Sequence, residues 1–507
     1  MTVMGPIQVT STSQQQQQQQ DAKSKLGHVL MNEHLVCDPR KKRKKKQESN
    51  YSNSNANNNN DETYITLQNL SRIRSNPFTS NVNMTLSSMN ELFDEFQLLT
   101  PQKSQEGEDG KLVGTILDVT TQCNGRDPIS SQKISKQLGL NVIIGTTPQA
   151  TIGCLDNVKT MEEDISYMEK ELMYGLDGYD GENGEGIQDV KQKEGPEGVT
   201  TTDNNIILAG FIGEITVQVT VGGGGLSSSS SFDATSSSDA TLSSLEEYQI
   251  KACCMVSGTT NAPVIIGLSP TKRQVVLCGD DDAMQQAKNE GNNKHVVLQI
   301  LDIIESCGCQ LSNIILSHVD IYHYDLELLK VVLDKGVNIC FDSYSITYAI
   351  HDVDNNSNND IDVYPTIHQV VNCIHSVLQH NPQYVNQIVL SCGIRMKLQY
   401  TKYGGLGYNV LYEHLLPKLR RRLSSSSSSC SSGGVVDDIL ETMLIRNPQK
   451  LLQWWKEPPP KVKPKVYMNC SICKKPFEPI EGTYYSKYTF VYCSRPCLLQ
   501  HVQRNFK

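Results

Sequence analysis

Four cysteines near the C-terminus have the spacing of a structural zinc site. Cys470-x2-Cys473 is followed, after 19 residues, by Cys493-x3-Cys497. Paired cysteines at such spacing are typical of four-coordinate zinc. Four thiolates leave no open coordination position, so zinc here would be structural and not catalytic. His501 is the alternative fourth ligand, in place of Cys497.

These cysteines must be positioned by a small module at residues 467–507. About 40 residues cannot build a stable apolar core, so bound metal would supply the folding energy. Residues 483–492 suit a hairpin, and the residues after Cys497 suit a short helix. This layout resembles a treble-clef finger of the FCS type, whose second cysteine pair also reads aromatic-Cys-Ser-x-x-Cys.

Basic side chains dominate this finger, and they are Lys474, Lys475, Lys487, Arg495, Arg504 and Lys507. Binding of a protein partner is the expected role. Nucleic-acid binding is the weaker alternative, because basic charge without a base-reading motif is poor evidence.

A second set of residues with metal-binding chemistry lies at the ends of apolar segments. His34, Glu214 and His318 each follow or end a strand-length apolar run. Two imidazoles and one carboxylate can bind a single divalent metal. In a barrel of parallel strands the C-terminal strand ends converge on one mouth, so these three side chains would meet there.

Eight such runs, separated by helix-like stretches, predict an α/β fold, a (β/α)8 TIM barrel. Because the runs are rich in Val, Ile and Leu and do not alternate, the sheet should be buried on both faces. The predicted strands are Gly27–Met31, Gly114–Val119, Asn141–Gly145, Ile206–Ile215, Pro263–Gly267, Asn313–Ser317, Val337–Phe341 and Gln387–Ser391.

The predicted organisation is a Gln-rich tail (1–24), a barrel (25–456), a Pro/Lys linker (457–466) and the finger (467–507). Low-complexity runs cannot bury enough apolar surface to order themselves, so we expect disordered inserts in the barrel. These runs lie near 40–60, 174–203, 222–244, 354–360 and 424–434.

The barrel segments resemble the phosphotriesterase family, in particular its phosphotriesterase-related branch. The resemblance rests on short segments, in matching order, across most of residues 25–456. They include LGHVLMNEHLVCD near residue 26, GTILDVTTQCNGRD at 114–127, LNVIIGTTP at 140–148, GFIGEI at 210–215, ILSHVD at 315–320 and TKYGGLGY at 401–408.

The resemblance implies a binuclear metal site and hydrolysis of ester, lactone or amide bonds. The implied ligands are two histidines from strand one, a carboxylate from strand four, one histidine each from strands five and six, and an aspartate from strand eight. His34, Glu214 and His318 match this set.

Three of the six implied ligand positions are substituted. Asn32, Gly267 and Gly393 stand where the family carries His, His and Asp. The lost Asp would also accept a proton from the bridging water, and nearby Asp320 is a candidate substitute. The residues therefore predict a degenerate hydrolase, with a divalent metal in the barrel not expected or bound weakly at a single position. The alternative is a non-catalytic barrel that binds a small molecule at its mouth or a protein, with the finger as its interaction module.

Composition narrows the cellular context. The chain of 507 residues has a formal charge of −9, which gives no general reason to expect nucleic acid. Seven consecutive cations at Arg40–Lys46 are either a solvated charge run or a nuclear-import signal. Long apolar segments and a secretory leader are lacking, and most cysteines are scattered through apolar segments as reduced thiols. We expect a cytoplasmic or nuclear protein that is neither secreted nor membrane-bound.

Overall fold

Eight parallel strands, neighbouring in chain order from β1 to β8, form the barrel in a computed structural model of the chain. The predicted (β/α)8 fold is confirmed. The strands are β1 (His28–Glu33), β2 (Val113–Asp118), β3 (Asn141–Thr146), β4 (Phe211–Val221), β5 (Val264–Val275), β6 (Ile314–Ser317), β7 (Asn338–Phe341) and β8 (Ile388–Leu390).

The structure describes residues 26–38, 64–75, 77, 80–97, 99, 113–149, 160–176, 207–221, 242–275, 295–346, 364–425, 432–454, 468–477, 484–487 and 489–503. The Gln-rich tail, the Arg40–Lys46 run and the Pro/Lys linker lie outside these ranges. The chain divides after Trp455 into two compact units, and each is treated separately.

The helices of the first unit follow the strands along the chain. They are α1 (Leu67–Ser75), α2 (Asn81–Met84), α3 (Met89–Gln97), α4 (Pro128–Leu138), α5 (Met161–Met173), α6 (Ser244–Thr260), α7 (Val296–Ser306), α8 (Leu326–Asp334), α9 (Ile367–His380), α10 (Leu416–Ser425), α11 (Ser432–Glu441) and α12 (Asn447–Leu452). None of the helices in the described ranges is long and apolar enough to cross a membrane.

Alternate residues of each strand bury themselves on opposite faces of the sheet. Val29 and Met31 point into the barrel interior, where they pack with Ile265 and Val389. Leu30, between them, packs in the outer layer between strands and helices. This two-sided burial explains why the strands are nearly continuous apolar runs.

Strands β4 and β5 are longer than the predicted segments, which ended at Ile215 and Gly267. The two strands remain paired beyond those positions, with Val217 opposite Leu268 and Val221 opposite Val275. From Thr216 to Val219 the side chains of β4 alternate between exposed and buried, as in a strand with one face in solvent. Glu214 and Gly267 therefore lie within their strands and not at the ends.

Ordered structure also extends into the edges of three predicted inserts. Ser243 and Glu246 form a capping box that starts α6 inside the 222–244 run. Leu176 is buried in the core although it falls in the 174–203 run. The 424–434 run contributes the end of α10 and the start of α11.

The second unit contains two small antiparallel strand pairs and one helix. The elements are β9 (Met468–Asn469), β10 (Pro476–Phe477), β11 (Tyr485–Lys487), β12 (Phe490–Tyr492) and α13 (Arg495–Gln503). β10 pairs with β9, and β11 pairs with β12. The predicted hairpin and C-terminal helix are both present.

Candidate functional site: a hydrogen-bonded barrel mouth and a cysteine cluster

Glu214 is the centre of a buried polar network at the barrel mouth. Its Oε1 atom accepts hydrogen bonds from Asn32 Nδ2 at 2.9 Å, from Ser317 Oγ at 2.6 Å and from His318 Nε2 at 3.1 Å. Burial alone would raise the pKa of this carboxyl, but the adjacent His318 and Arg395 hold the pKa well below its usual range. Glu214 is thus a carboxylate whose charge is balanced by protein donors.

His318 lies between two carboxylates. Its Nδ1 is 2.7 Å from Asp342 Oδ1, and its Nε2 contacts Glu214. Its backbone N–H also donates to Asp342 Oδ1, at 2.9 Å, with His318 in the left-handed region at φ +61°. Burial and the nearby Arg395 oppose the charged form, yet Asp342 and Glu214 raise the pKa of His318 to about 9. The imidazole is therefore protonated at neutral pH, and both ring nitrogens donate.

Asn32 links the same two carboxylates. Its Nδ2 atom donates to Glu214 Oε1 and, at 3.0 Å, to Asp342 Oδ2. The side chain is buried, so these are full hydrogen bonds away from water. Asn32 therefore supplies N–H donors where a metal ligand would have to supply a lone pair.

Arg395, just after β8, places a cation in this network. Its guanidinium NH2 lies 3.3 Å from His318 Nδ1 and 3.2 Å from His318 Nε2, which puts it against the imidazole ring. The same charge contributes to the lowered pKa of Glu214. Two carboxylates and two cations thus lie together, and their formal charges cancel.

His34 has a different hydrogen-bond partner from His318. Its Nδ1 contacts Thr120 Oγ1 at 3.0 Å. Burial, opposed by Glu214 and aided by Arg395 and His318, lowers the pKa of His34 to about 4, so the ring is neutral. Among the described residues, only the finger cysteines bring three or more Cys, His, Asp or Glu ligand atoms within 4.8 Å of one another. The structure brings Glu214 and His318 together but does not gather His34 with them into such a set.

The two glycine positions differ in how much room they offer. A Cβ atom at Gly267 would lie 2.4 Å from Glu214 Oε1, a side-chain atom that can move. Gly393 has φ +62°, and a Cβ there would lie 2.0 Å from the backbone oxygen of Asp342. Only glycine fits that conformation without moving the backbone.

Glu33, the middle residue of the Asn-Glu-His tripeptide, joins the first and last strands. Its carboxyl group accepts the N–H groups of Cys392 at 2.6 Å, Gly393 at 3.2 Å and Ile394 at 2.8 Å. Ser391 Oγ donates to it at 2.7 Å. Asn32 N also donates to Ser391 Oγ, and His34 N donates to Ile394 O. These hydrogen bonds of Glu33 to residues 391–394 are called the Glu33 clasp below. In the described residues the Glu33 clasp, rather than a β1–β8 ladder, joins the first strand to the last.

Asp320, the candidate substitute base, is completely buried. Its Oδ2 accepts the backbone N–H of Ser343 at 2.5 Å, and its Oδ1 has no hydrogen-bond partner. Burial, aided by Asp342, raises the pKa of Asp320 to about 7. The side chain is not exposed to solvent at the mouth.

Sequence reasoning missed Asp342, Arg395, Ser317 and Glu33. Asp342 directly follows β7, and Arg395 lies five residues beyond β8, so both stand where a barrel displays functional residues. Reading the residue after every strand would have found Asp342. The contact of Glu33 with β8 depends on the barrel closing and has no local signal.

In the finger, the four predicted cysteines lie together. Cys470, Cys473, Cys493 and Cys497 form a group with all Sγ atoms within 4.8 Å of one another. Two of the separations are 3.6 Å and 3.9 Å. A tetrahedral zinc with Zn–S bonds of ~2.3 Å requires sulfur atoms about 3.8 Å apart. The cluster therefore fits zinc in both ligand type and size.

The first cysteine pair forms a tight turn. The backbone N–H of Cys470 donates to Lys475 O, and that of Lys474 donates to Cys470 O, with Lys474 at φ +60°. Burial would raise the pKa of the Cys470 thiol, but backbone N–H groups of Cys493, Cys473 and Ile472 lower it to about 6. The turn thus favours the thiolate that binds metal.

His501 has a packing role in this unit. Its Nδ1 lies 2.9 Å from Tyr492 Oη, and its ring packs edge-on against Phe490 with centroids 4.7 Å apart. It is outside the cysteine group, so the prediction of His501 as a ligand in place of Cys497 is not supported.

Both units are similar to known proteins. Residues 240–452 match the model of the phosphotriesterase family, and residues 465–507 match that of the Vms1-associating treble clef domain. A phosphotriesterase-related protein of Nematostella vectensis is 22% identical over 78% of this chain and 89% of its own length. An N-acetyltaurine hydrolase of Dictyostelium discoideum is 22% identical over 61% of this chain and 63% of its own length.

A solved structure shares the barrel fold. The crystal structure of a resiniferatoxin-binding protein from Rhodobacter sphaeroides aligns with a TM-score of 0.55 and 22% identity, covering 89% of this chain and 94% of that one. Residues 240–452 therefore match the phosphotriesterase family model, the solved structure adds a likeness of fold alone, and the C-terminal unit is a treble clef domain.

Proposed function

We propose that this barrel is a degenerate member of the phosphotriesterase family. It would lack metal-dependent hydrolase activity and act as a binding scaffold. The observation that carries the proposal is the placement of His318 between Glu214 and Asp342, with Asn32 linking the same carboxylates. The atoms that would ligate metal are engaged with protein donors.

Ligand chemistry supports this proposal. Catalytic zinc keeps about three protein ligands that present lone pairs. A protonated His318 has no lone pair to offer, and Asn32 directs its N–H group at Glu214. Gly267 and Gly393 have no side chain. The residues of the barrel do not fit a binuclear metal centre, and a substitute base at Asp320 is buried.

Arg395 supports it from the electrostatic side. A metal cation at the mouth would neutralise Glu214 and the carboxylates near it, and without one they need another positive charge. Arg395 and His318 supply that charge from the protein itself. A small-molecule ligand at the mouth would meet Arg395, which is only partly buried.

The finger is proposed to hold one structural zinc ion and to bind a protein partner. Its closed four-cysteine site leaves no position for chemistry. An intracellular location, cytoplasmic or nuclear, agrees with twelve free cysteines among the described residues, with Cys123 the disulfide-bonded exception there.

The alternative function is amide, ester or lactone hydrolysis. His34, Glu214 and His318 keep the family residue types, and several relatives are named N-acetyltaurine hydrolase. This candidate requires a metal to displace the network around Glu214.

The test is a hydrolysis assay on the full chain after exposure to Zn²⁺, Mn²⁺ or Co²⁺. N-acetyltaurine and a panel of esters, lactones and amides serve as substrates, and His318→Ala is the matched control. We expect no metal-dependent turnover above that of His318→Ala. Turnover that His318→Ala abolishes would establish the hydrolase alternative.

A further inference from the structure

Two apolar side chains on the helix of the finger are partly exposed to solvent. Leu499 is 49% exposed and Val502 is 40% exposed, both on α13. In a unit held by four cysteines, burying these side chains would be favourable, by up to about 25 cal/mol per Å². The finger itself leaves this apolar area unburied, so a partner that covered it would gain binding free energy.

The two residues share one helix face with a cation. At 100° per residue, Arg495, Leu499 and Val502 fall within a 60° arc, since they are spaced i, i+4 and i+7. The opposite face carries Cys497 and the buried His501. The exposed set Arg495, Leu499 and Val502 is called the α13 face below.

The charge of the C-terminal region selects the partner. Residues 456–507 contain ten Lys and Arg against three Asp and Glu, a formal charge of +7, whereas the remainder of the chain carries −16. Four thiolates and one zinc ion would still leave the region at +5. Two such fingers repel each other, so self-association through this face is disfavoured, and an acidic partner is attracted.

The side-chain types distinguish a protein from a nucleic acid. Single-stranded nucleic acid is bound by aromatic side chains on which bases stack. The α13 face presents Leu and Val, which fill apolar pockets instead. Apolar side chains beside a cation match an amphipathic partner segment that carries an apolar face and acidic side chains.

We propose that the α13 face binds a separate protein through an acidic, amphipathic segment, with Leu499 and Val502 buried in the contact and Arg495 paired with a carboxylate at its edge. This deepens the proposed interaction role of the finger and rests on it.

The test uses the full, zinc-loaded chain with a photo-crosslinking amino acid at one position at a time. Position 499 probes the face. Position 500, exposed on the same helix but 100° away, is the matched control, and position 485 probes a different exposed surface of the finger. We expect position 499 to crosslink one dominant protein whose crosslinked peptide is acidic and amphipathic, at several times the yield of position 500.

Binding of that purified protein to the full chain then gives a quantitative readout. Leu499→Asp should weaken binding at least about tenfold, as for a buried apolar anchor. Gln500→Asp introduces the same charge on the same helix and should leave affinity within about twofold. Raising salt should weaken binding, because the attraction is electrostatic.

Several results would overturn the proposal. In the crosslinking experiment these are equal yields at positions 499 and 500, no protein crosslink at 499, or a crosslink to RNA, to a basic peptide or to another copy of this chain. In the binding experiment it is an equal loss of affinity for Leu499→Asp and Gln500→Asp. A dominant crosslink at position 485 alone would refute the α13 face while leaving the interaction role of the finger intact.

Discussion

Removal of the Glu33 side chain should destabilise the barrel severely. Glu33 is completely buried, and its carboxyl group accepts three backbone N–H groups and the Ser391 hydroxyl at the seam between β1 and β8. Glu33→Ala leaves three buried backbone N–H groups without an acceptor, whereas the Ser391 hydroxyl can still donate to Asn32 O. Each unpaired buried donor costs about 1–3 kcal/mol, less where water enters the space. The expected loss is therefore about 3–5 kcal/mol, a large part of the stability of an ordinary domain.

Urea unfolding followed by tryptophan fluorescence measures this loss. Both tryptophans of the chain, Trp454 and Trp455, are in the first unit. Trp454 is buried and donates its indole N–H to Gly210 O at 2.7 Å, so its emission should report the barrel. Glu327→Ala is the control, since that side chain is exposed and its pair with Lys330 lies at the surface, where such a pair is worth at most about 1 kcal/mol. If Glu33→Ala lowered the free energy of unfolding no more than Glu327→Ala does, the stabilising role of the Glu33 clasp would be refuted.

Three further predictions follow from the same contacts. Gly393→Ala should lower the free energy of unfolding by about 3 kcal/mol or more, because the added Cβ meets a backbone oxygen. Gly336→Ala, also at positive φ but facing open space, should lower it by only about 1–2 kcal/mol. Equal urea midpoints for the two variants would contradict the steric argument. The pKa of His318 is raised to about 9, so its stabilising contribution is complete below pH 6.5 and is lost as pH rises through 9. The difference in unfolding free energy between the native chain and His318→Asn should therefore shrink over that range. A constant difference would refute a protonated His318. A zinc chelator should abolish the circular-dichroism and proteolytic signature of residues 468–503 without shifting the barrel unfolding midpoint, and a protease-resistant finger in chelator would show that metal does not hold it.

The barrel could be predicted from sequence because its signals are local and repeated. Val29, Leu30 and Met31 form one apolar run, and Ile265 lies in another. Such runs are typical of a sheet buried on both faces. The ends of β4 and β5 were missed because their added residues pair with each other, and Thr216 to Val219 shows the alternation of a half-exposed strand. Capping at Ser243 was hidden within a serine-rich run, where composition outweighed the Ser-x-x-Glu pattern.

The site was only partly predictable, because substitutions show what is missing and not what replaces it. Asn32, Gly267 and Gly393 could be recognised as departures from a ligand set. The partners of Asn32, and the roles of Asp342 and Arg395, depend on which strand ends meet across the barrel. The backbone at Gly393 also has a practical consequence. Restoring an aspartate there, together with histidines at 32 and 267, would force a backbone shift before any metal could bind.

The finger was the most predictable site, since four cysteines in two close pairs leave few arrangements. The structure adds that His501 packs against Phe490 and Tyr492, a pairing that sequence spacing could not distinguish from ligation.

Metal content of the purified full chain, measured by mass spectrometry after incubation with excess Zn²⁺ and removal of free ion, tests the central claim most directly. We predict one zinc per chain, unchanged in His318→Ala and lost in Cys493→Ser. A content of two or three metal ions per chain, reduced by His318→Ala and not only by Cys493→Ser, would show that the barrel mouth still binds metal and would contradict the proposal that protein side chains have replaced it.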